Sequence, residues 1–254
     1  MINKNNKKKY ILVLDLDETL FHTSGNKLFI RPHLKDFITS LDPYFYLIVF
    51  TAATKSYADD ILKKIGINDY FIKKFYRSSL TTTNNFKNLK TVIRSLIEDK
   101  IKLKLKGGNI KHTFDINNNL LMDKNDINLK KIILVDNLEE NLCEEQKNNG
   151  IIIQDYYGNK DENVSKKDNC LKMIKEFLLH MINIKPNNVQ KYLYENLYII
   201  DKYIKYIPSR PTLNCINKKQ KKSQKKLQKS KKTRKKKKTL KKKKQKNYKK
   251  VEKH

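Results

Sequence analysis

Tyr10 to Leu14 is an unbroken apolar run that stops at Asp15, and its Ile, Leu and Val content predicts a short strand buried on both faces of a parallel sheet. Three runs of the same kind follow, at Phe45 to Phe50, Ile132 to Val135 and Ile151 to Ile153. Between them the spacing turns helical. Pro32 opens one helix at a favoured first-turn position, Thr54 is a candidate cap for a second that reaches Lys64 and stops at Gly66, and Leu138 to Asn148 predicts a third, ended by Gly150. Asp168 to Ile182 and Val189 to Ile207 also carry helix-compatible apolar spacing, and the tyrosines 192, 194, 198, 203 and 206 fit helix packing against the domain. Strand and helix in repeated alternation predict an α/β fold with a doubly wound parallel sheet. One region breaks the rhythm. From Glu98 to Leu129, Lys102, Lys104 and Lys106 give way to Gly107-Gly108 and an Asn-rich stretch, which reads as an excursion from the core in the form of a β-hairpin.

Charge divides the chain. Of its 57 basic residues, 22 lie from Lys218 onward, against one of its 26 acidic residues, Glu252; that leaves 35 against 25 on the rest, or +10 of the formal +31. A segment so poor in apolar side chains cannot offset its ordering entropy, so 218–254 is expected to be disordered. Its lysines have three readings: a solubility segment, a nuclear address, or an arm that binds nucleic acid or acidic protein by counterion release. Cys143, Cys170 and Cys215 are far apart and lack metal-ligand spacing, which suggests reduced thiols in an intracellular protein. The longest apolar run, Phe45 to Ala53, is about half of the ~20 residues a membrane-spanning helix needs. The first residues, Met1 to Asn6, lack the apolar core of a signal peptide, so a soluble protein away from membranes is expected.

In a sheet of this kind, ligands sit beyond the carboxyl ends of the strands. The predicted exits carry Asp15 and Asp17, then Thr51, then Asp136 with Asn137. That set matches what phosphate-ester hydrolysis through a carboxylate nucleophile requires. Asp15 would attack phosphorus with one oxygen on Mg²⁺, and Asp17 would give a proton to the leaving oxygen and later take one from water. The Asp17 carbonyl, Asn137 and Asp136 would complete an oxygen coordination set of the kind magnesium prefers. Thr51 would offer its hydroxyl and neighbouring amides to the phosphoryl oxygens, and a lysine would counter their charge.

Asp15-Leu16-Asp17-Glu18-Thr19-Leu20-Phe21-His22, Arg31-Pro32-His33, Phe50-Thr51-Ala52-Ala53 with Tyr57-Ala58-Asp59, Phe75-Tyr76-Arg77-Ser78-Ser79 and Leu134-Val135-Asp136-Asn137 occur in that order. Together they resemble the haloacid-dehalogenase-superfamily phosphatases of the Fcp/Scp type, which act on the carboxy-terminal domain of RNA polymerase II, over roughly residues 10 to 183. The resemblance implies a haloacid-dehalogenase-like Rossmannoid domain, Mg²⁺ as cofactor, Asp15 as nucleophile, Asp17 as acid and base, Thr51 and a lysine on the phosphate, and Asn137 on magnesium. Tyr57, Arg77 and Ala52 would contact the substrate. The lysine is Lys87 on the match of Phe86-Lys87-Asn88-Leu89, with Lys90 as rival. Two departures stand out: only Thr23 to Ile30 fills the place of the family's sheet-forming insertion, and Glu98 to Leu129 is longer than its counterpart.

The organisation expected is an extension over 1–9, a phosphatase domain over 10–183 with an insertion at about 98–129, a helical extension over 184–217 and the Lys-rich tail over 218–254. The function expected is Mg²⁺-dependent phosphoserine or phosphothreonine protein phosphatase, with the polymerase domain among its targets and a nuclear or cytoplasmic location. A nucleic-acid-end or small-molecule phosphatase, and a non-catalytic phosphoprotein scaffold, are the alternatives.

Overall fold

The computed structural model describes residues 10–80, 86–105, 121–123, 126–158 and 167–205. In chain order its elements are β1 (Tyr10–Leu14), β2 (Phe21–Ser24), β3 (Lys27–Ile30), α1 (Leu34–Leu41), β4 (Phe45–Phe50), α2 (Lys55–Ile65), β5 (Phe71–Phe75), α3 (Leu89–Leu105), β6 (Met122–Asp123), β7 (Asp126–Ile127), β8 (Ile132–Asp136), β9 (Gly150–Ile152), α4 (Cys170–Ile184) and α5 (Val189–Asn196).

β1 is buried at every position because it lies at the centre of the sheet and is covered on both sides. Successive side chains of a strand point to opposite faces, so Tyr10, Leu12 and Leu14 enter one core while Ile11 and Val13 enter the other. The first core takes the buried sides of α1, α2, α4 and α5; the second takes Leu89, Val92, Ile93 and Leu96 of α3. The sheet is wholly parallel, in the order β5-β4-β1-β8-β9. The chain therefore winds outward from β1 to β5, then returns to the other side of β1. This reversal makes β1 and β8 the switch point, where a crevice opens beyond the strand ends.

The expected doubly wound sheet is present, and the four strands read from the apolar runs lie within a residue of their expected limits. Several other expectations are corrected. α1 begins at Leu34, with His33 in a left-handed conformation (φ 66) before it, so Pro32 precedes the helix. Leu138 to Asn148 forms two 3-10 turns, Glu139–Asn141 and Glu144–Asn149, with extended Cys143 between them. Polar side chains of this stretch bond across the molecule, to Asp136 and to the start of α3, and that competes with a continuous helix. Gly150 starts β9; a Cβ there would lie 2.3 Å from Leu142 Cδ1. Glu98 to Leu105 continues α3, so the excursion begins later than expected; its far end carries the short antiparallel pair β6-β7, and 106–120 lie outside the described residues.

β5 was not among the four strands read from apolar runs. It is an edge strand with a half-exposed middle, so Phe71-Ile72-Lys73-Lys74-Phe75 lacks the continuous apolar signature. The stretch from Thr23 to Ile30 belongs to a small hairpin of its own, β2-β3. Beyond α5 the chain tightens into a 3-10 segment, Leu197–Tyr203, instead of continuing as one helix. Tyr192 is buried there, whereas Tyr198 is 63% exposed, so packing explains only part of the tyrosine set. Tyr206 and the Lys-rich tail lie outside the described residues. Among the described residues, no helix is long and apolar enough to cross a membrane.

Candidate active site

Strand parity builds the floor of the crevice. β1 and β8 run in register, Ile11 against Ile132 and Leu14 against Val135, and the next residues, Asp15 and Asp136, follow Ile11, Val13, Ile132 and Leu134 onto the same face of the sheet. Two buried carboxylates on neighbouring strands repel one another unless a cation sits between them. Lys87 is that cation. Its Nζ donates to Asp15 Oδ1, and to Asp136 Oδ2 at 2.7 Å, and its side chain is wholly buried. The lysine arrives from the second face because it stands just before Asn88, the residue that caps α3. Asn88 Oδ1 caps that helix at the Lys90 amide (2.9 Å), and Gln146 accepts from the Leu89 amide (2.9 Å) and donates to Asn88 (3.0 Å). The backbone amide of Lys87 donates to Asn141 O at 2.8 Å, which ties the segment to the turn after β8.

Burial pushes the Asp15 carboxyl up to about 7; Lys87 pulls it down, and Asp136 pushes it up again. Burial would lower the Lys87 ammonium, but the two carboxylates outweigh it and hold it above its ordinary value. Asp136 has both oxygens engaged. Beyond Lys87 they accept from the Leu138 amide at 2.9 Å and from Asn141 Nδ2 at 2.9 and 3.1 Å.

Asn137 faces the other oxygen of Asp15. The Thr19 hydroxyl stands between Asp15 Oδ2 (3.1 Å) and Asn137 Oδ1 (3.2 Å), so these two oxygens are only one hydroxyl apart. Thr19 is in turn held from behind by buried Arg31, which donates to its carbonyl at 3.0 Å and to Asp168 Oδ2 at 3.0 Å.

Asp17 lies at the wall of an adjoining open cleft of about 440 Å³, with Thr23, Ala52, Ala53, Thr54, Tyr57 and Arg77. Burial raises its carboxyl above the usual range, while the Tyr57 hydroxyl, donating to Asp17 Oδ1 at 2.6 Å, pulls it down. Tyr57 also bonds Thr23 of the β2-β3 hairpin at 2.9 Å, so α2, the hairpin and Asp17 share one hydroxyl. Thr51, buried at the exit of β4, accepts from the Ala53 amide at 3.0 Å, which leaves its own O–H free to donate. Arg77 is exposed; its Nε donates to Ala52 O at 2.8 Å and its amide to Ala53 O at 3.0 Å.

The structure thus joins Asp15, Lys87, Asp136 and Asn137 in one bonded cluster and sets Asp17, Tyr57, Ala52 and Arg77 around the cleft beside it. Lys90, the rival lysine, instead pairs with Glu145 on the surface at 3.1 Å. Sequence reasoning missed four supports: Thr19, Asn141, Asp155, which accepts from Asn137 Nδ2 at 2.7 Å, and Lys205, which pairs with Asp155 at 2.6 Å. Thr19 lay inside a motif already noted, and Asp155 follows the exit of β9, so the strand-end rule could have found both. Nothing distinguished Lys205 in a lysine-rich chain.

The donor set fits a magnesium ion. Among the described residues no three His, Cys, Asp or Glu side chains form a metal cage, but magnesium takes few protein oxygens and keeps several waters. Asp15 Oδ2 and Asn137 Oδ1 converge on Thr19, the Asp15, Asp17 and Asp136 carboxylates outnumber the one buried ammonium, and each candidate ligand is an oxygen. A hard divalent cation answers that excess of negative charge.

The model of the NLI interacting factor-like phosphatases matches residues 10–190. Nuclear envelope morphology protein 1 of Schizosaccharomyces pombe is 37% identical over 89 residues, covering 26% of this chain and 19% of that protein. CTD nuclear envelope phosphatase 1B of Danio rerio is 29% identical over 106 residues, covering 30% of this chain and 43% of that protein. The chain therefore spans less than half the length of these curated relatives. Among solved structures, the fission yeast RNA polymerase II CTD phosphatase Fcp1, as a variant bound to beryllium fluoride, aligns at 13% identity with a TM-score of 0.39, over 80% of this chain and 59% of that one.

Proposed function

The chain belongs to the NLI interacting factor-like phosphatases, and from that premise we propose that it is a magnesium-dependent phosphoserine or phosphothreonine protein phosphatase working through an aspartyl phosphate. The observation that carries this reading is the cluster at the β1-β8 switch point, where buried Lys87 bridges Asp15 and Asp136 and Thr19 links Asn137 to the second oxygen of Asp15.

In the first step Asp15 attacks phosphorus and Asp17 gives a proton to the leaving serine or threonine oxygen. A poor alkoxide leaving group makes that proton necessary, and the raised Asp17 carboxyl suits a group that must carry one. In the second step Asp17 takes a proton from the water that attacks phosphorus, and Asp15 leaves as a carboxylate. Lys87 and the Thr51 hydroxyl offset the charge on the phosphoryl oxygens throughout. Asp15, the Asp17 carbonyl and Asn137 would hold magnesium, which would neutralise phosphoryl charge when bound. Asp136, with both oxygens engaged, serves chiefly to anchor Lys87. Ala52, Tyr57 and Arg77 would meet the substrate at the cleft.

The polymerase carboxy-terminal domain is a candidate target, and the relatives' names together with the Lys-rich tail favour a nuclear setting. The domain limits at 10–183 and the extension over 184–217 belong to the same proposal. One alternative retains specific support. The tail's 22 basic residues and the small hairpin at the cleft favour a phosphate on a nucleic-acid end. Phosphopeptides and end-phosphorylated oligonucleotides assayed side by side, with and without Mg²⁺ and with Asp15→Asn as control, decide between them. Faster magnesium-dependent release from the peptides is expected; release from the oligonucleotides alone sinks the protein-phosphatase reading, and release from neither sinks both.

A further inference from the structure

Asn137 is held from behind as well as in front. Its Nδ2 donates to Asp155 Oδ1 at 2.7 Å, and Lys205 Nζ donates both to the other Asp155 oxygen, at 2.6 Å, and to the Asn137 backbone carbonyl, at 3.0 Å. Lys205 lies beyond residue 190, where the family match ends. It is nevertheless firmly placed. The Lys205 amide donates to Ile152 O at 2.7 Å, Gln154 N donates to Tyr203 O at 3.1 Å, Ile153 and Ile204 form an antiparallel bridge, and Leu197, Ile200 and Ile204 are buried. The returning chain thus lines the edge of β9 and delivers an ammonium group underneath the site.

An asparagine amide is ambivalent, because a half-turn exchanges its oxygen for an NH₂ group that repels a cation. A carboxylate behind it removes the ambiguity, since only the NH₂ side can face Asp155. The outer partners of metal ligands act in this way generally. We propose that Asp155 and Lys205 are a positioning pair that turns the Asn137 oxygen toward the metal hollow, so that the chain beyond the family domain is a working part of the reaction site. This rests on Asn137 being a magnesium ligand.

A structural explanation predicts something else. The Asp155–Lys205 ion pair is partly exposed, with side chains 25% and 30% accessible, and such pairs contribute little to stability. The full chain is therefore tested by titrating Mg²⁺ calorimetrically without substrate, by melting the metal-free protein, and by measuring kcat and the Mg²⁺ activation constant. Asp155→Ala should weaken Mg²⁺ binding about 10- to 100-fold, Lys205→Met less, and Lys205→Arg should restore most of the loss. In each, kcat at saturating Mg²⁺ stays near that of the parent and the metal-free melting temperature changes little. Parent-like Mg²⁺ affinity in both Asp155→Ala and Lys205→Met overturns the pair, even if the metal-free protein melts earlier. If Asp155→Ala does not fold, Lys205→Met against Lys205→Arg decides alone. A parent chain that binds no Mg²⁺ overturns the magnesium reading and the pair with it; a parent that binds it while the variants match it overturns the pair only.

Discussion

At the floor of the site, Lys87 and Asp136 are completely buried and every charge has a bonded partner; at the mouth, Arg77 and Ala52 stand open to solvent and are held mainly by backbone carbonyls and amides. The floor comes from two central strands whose parity leaves no freedom in where their last residues point. The mouth comes from loops and a two-stranded hairpin, which can change without disturbing the sheet. On the proposed mechanism, chemistry is accordingly built onto the central buried strands, and selection of the substrate onto loops and a hairpin.

The largest expected effect strikes the floor. Asp15→Asn should cut phosphatase turnover by at least about 10³-fold with the fold intact, because it removes the proposed attacking group and little else. Near-parent turnover breaks the comparison at once. The same variant carries a stability signature. Burial raises the Asp15 carboxyl from 3.8 to about 7 in the folded chain, so its contribution is fully present below about pH 4 and is lost as pH rises toward 7. The neutral amide lacks that dependence. In metal-free buffer the melting temperature of Asp15→Asn should therefore rise relative to the parent between about pH 4 and 7; a constant gap counts against the buried, strained carboxylate.

Lys87→Met comes next. Removing one member of a buried charged set costs about 3–5 kcal/mol, to be read from denaturant unfolding near neutral pH. Lys87 pulls the buried Asp15 carboxyl down, so without it Asp15 would bind its proton still more tightly in the folded chain, and this variant should regain stability as pH falls and lose it as pH rises. Stability within about 1 kcal/mol of the parent at neutral pH would show the bridge to be dispensable.

Tyr57→Phe probes the boundary between the two regions. Losing one hydrogen bond to a charged group, about 1.5–3 kcal/mol, should reduce kcat by roughly 10- to 100-fold. The Tyr57 hydroxyl lowers the Asp17 carboxyl, so its loss should also move the alkaline limb of the kcat profile to higher pH. A change in KM alone, with the limb unmoved, leaves Tyr57 a substrate contact with no part in tuning Asp17. The smallest effect belongs to the mouth. Arg77→Ala should raise KM for a phosphopeptide by about 3- to 10-fold, on the scale of one partly exposed charged contact, with kcat nearly unchanged.

The floor was largely legible in the sequence, for one reason. A buried parallel strand announces itself as an apolar run, and in a doubly wound sheet the residues after the run are where ligands bind, so Asp15, Asp136 and Asn137 of the floor, and Asp17 and Thr51 beside it, could be named as candidates from linear position. β5 and the β2-β3 hairpin escaped because edge and surface strands mix polar residues into the pattern. The turns after β8 were misread as a helix because helical spacing cannot show that Asn141 and Gln146 spend their side chains on Asp136 and on the start of α3. The choice between Lys87 and Lys90 could not come from composition in a chain with this many lysines.

Apolar period and strand-end polarity are local properties, and by themselves they determined four strands of a doubly wound sheet and which polar residues stand at their exits. Only the folded chain decided that Asp136 is bonded on both oxygens, that Tyr57 reaches Asp17, and that Lys205 returns to Asp155 beneath Asn137. Those contacts join residues far apart in the chain, and hydrogen-bond direction and burial exist only once the elements have packed.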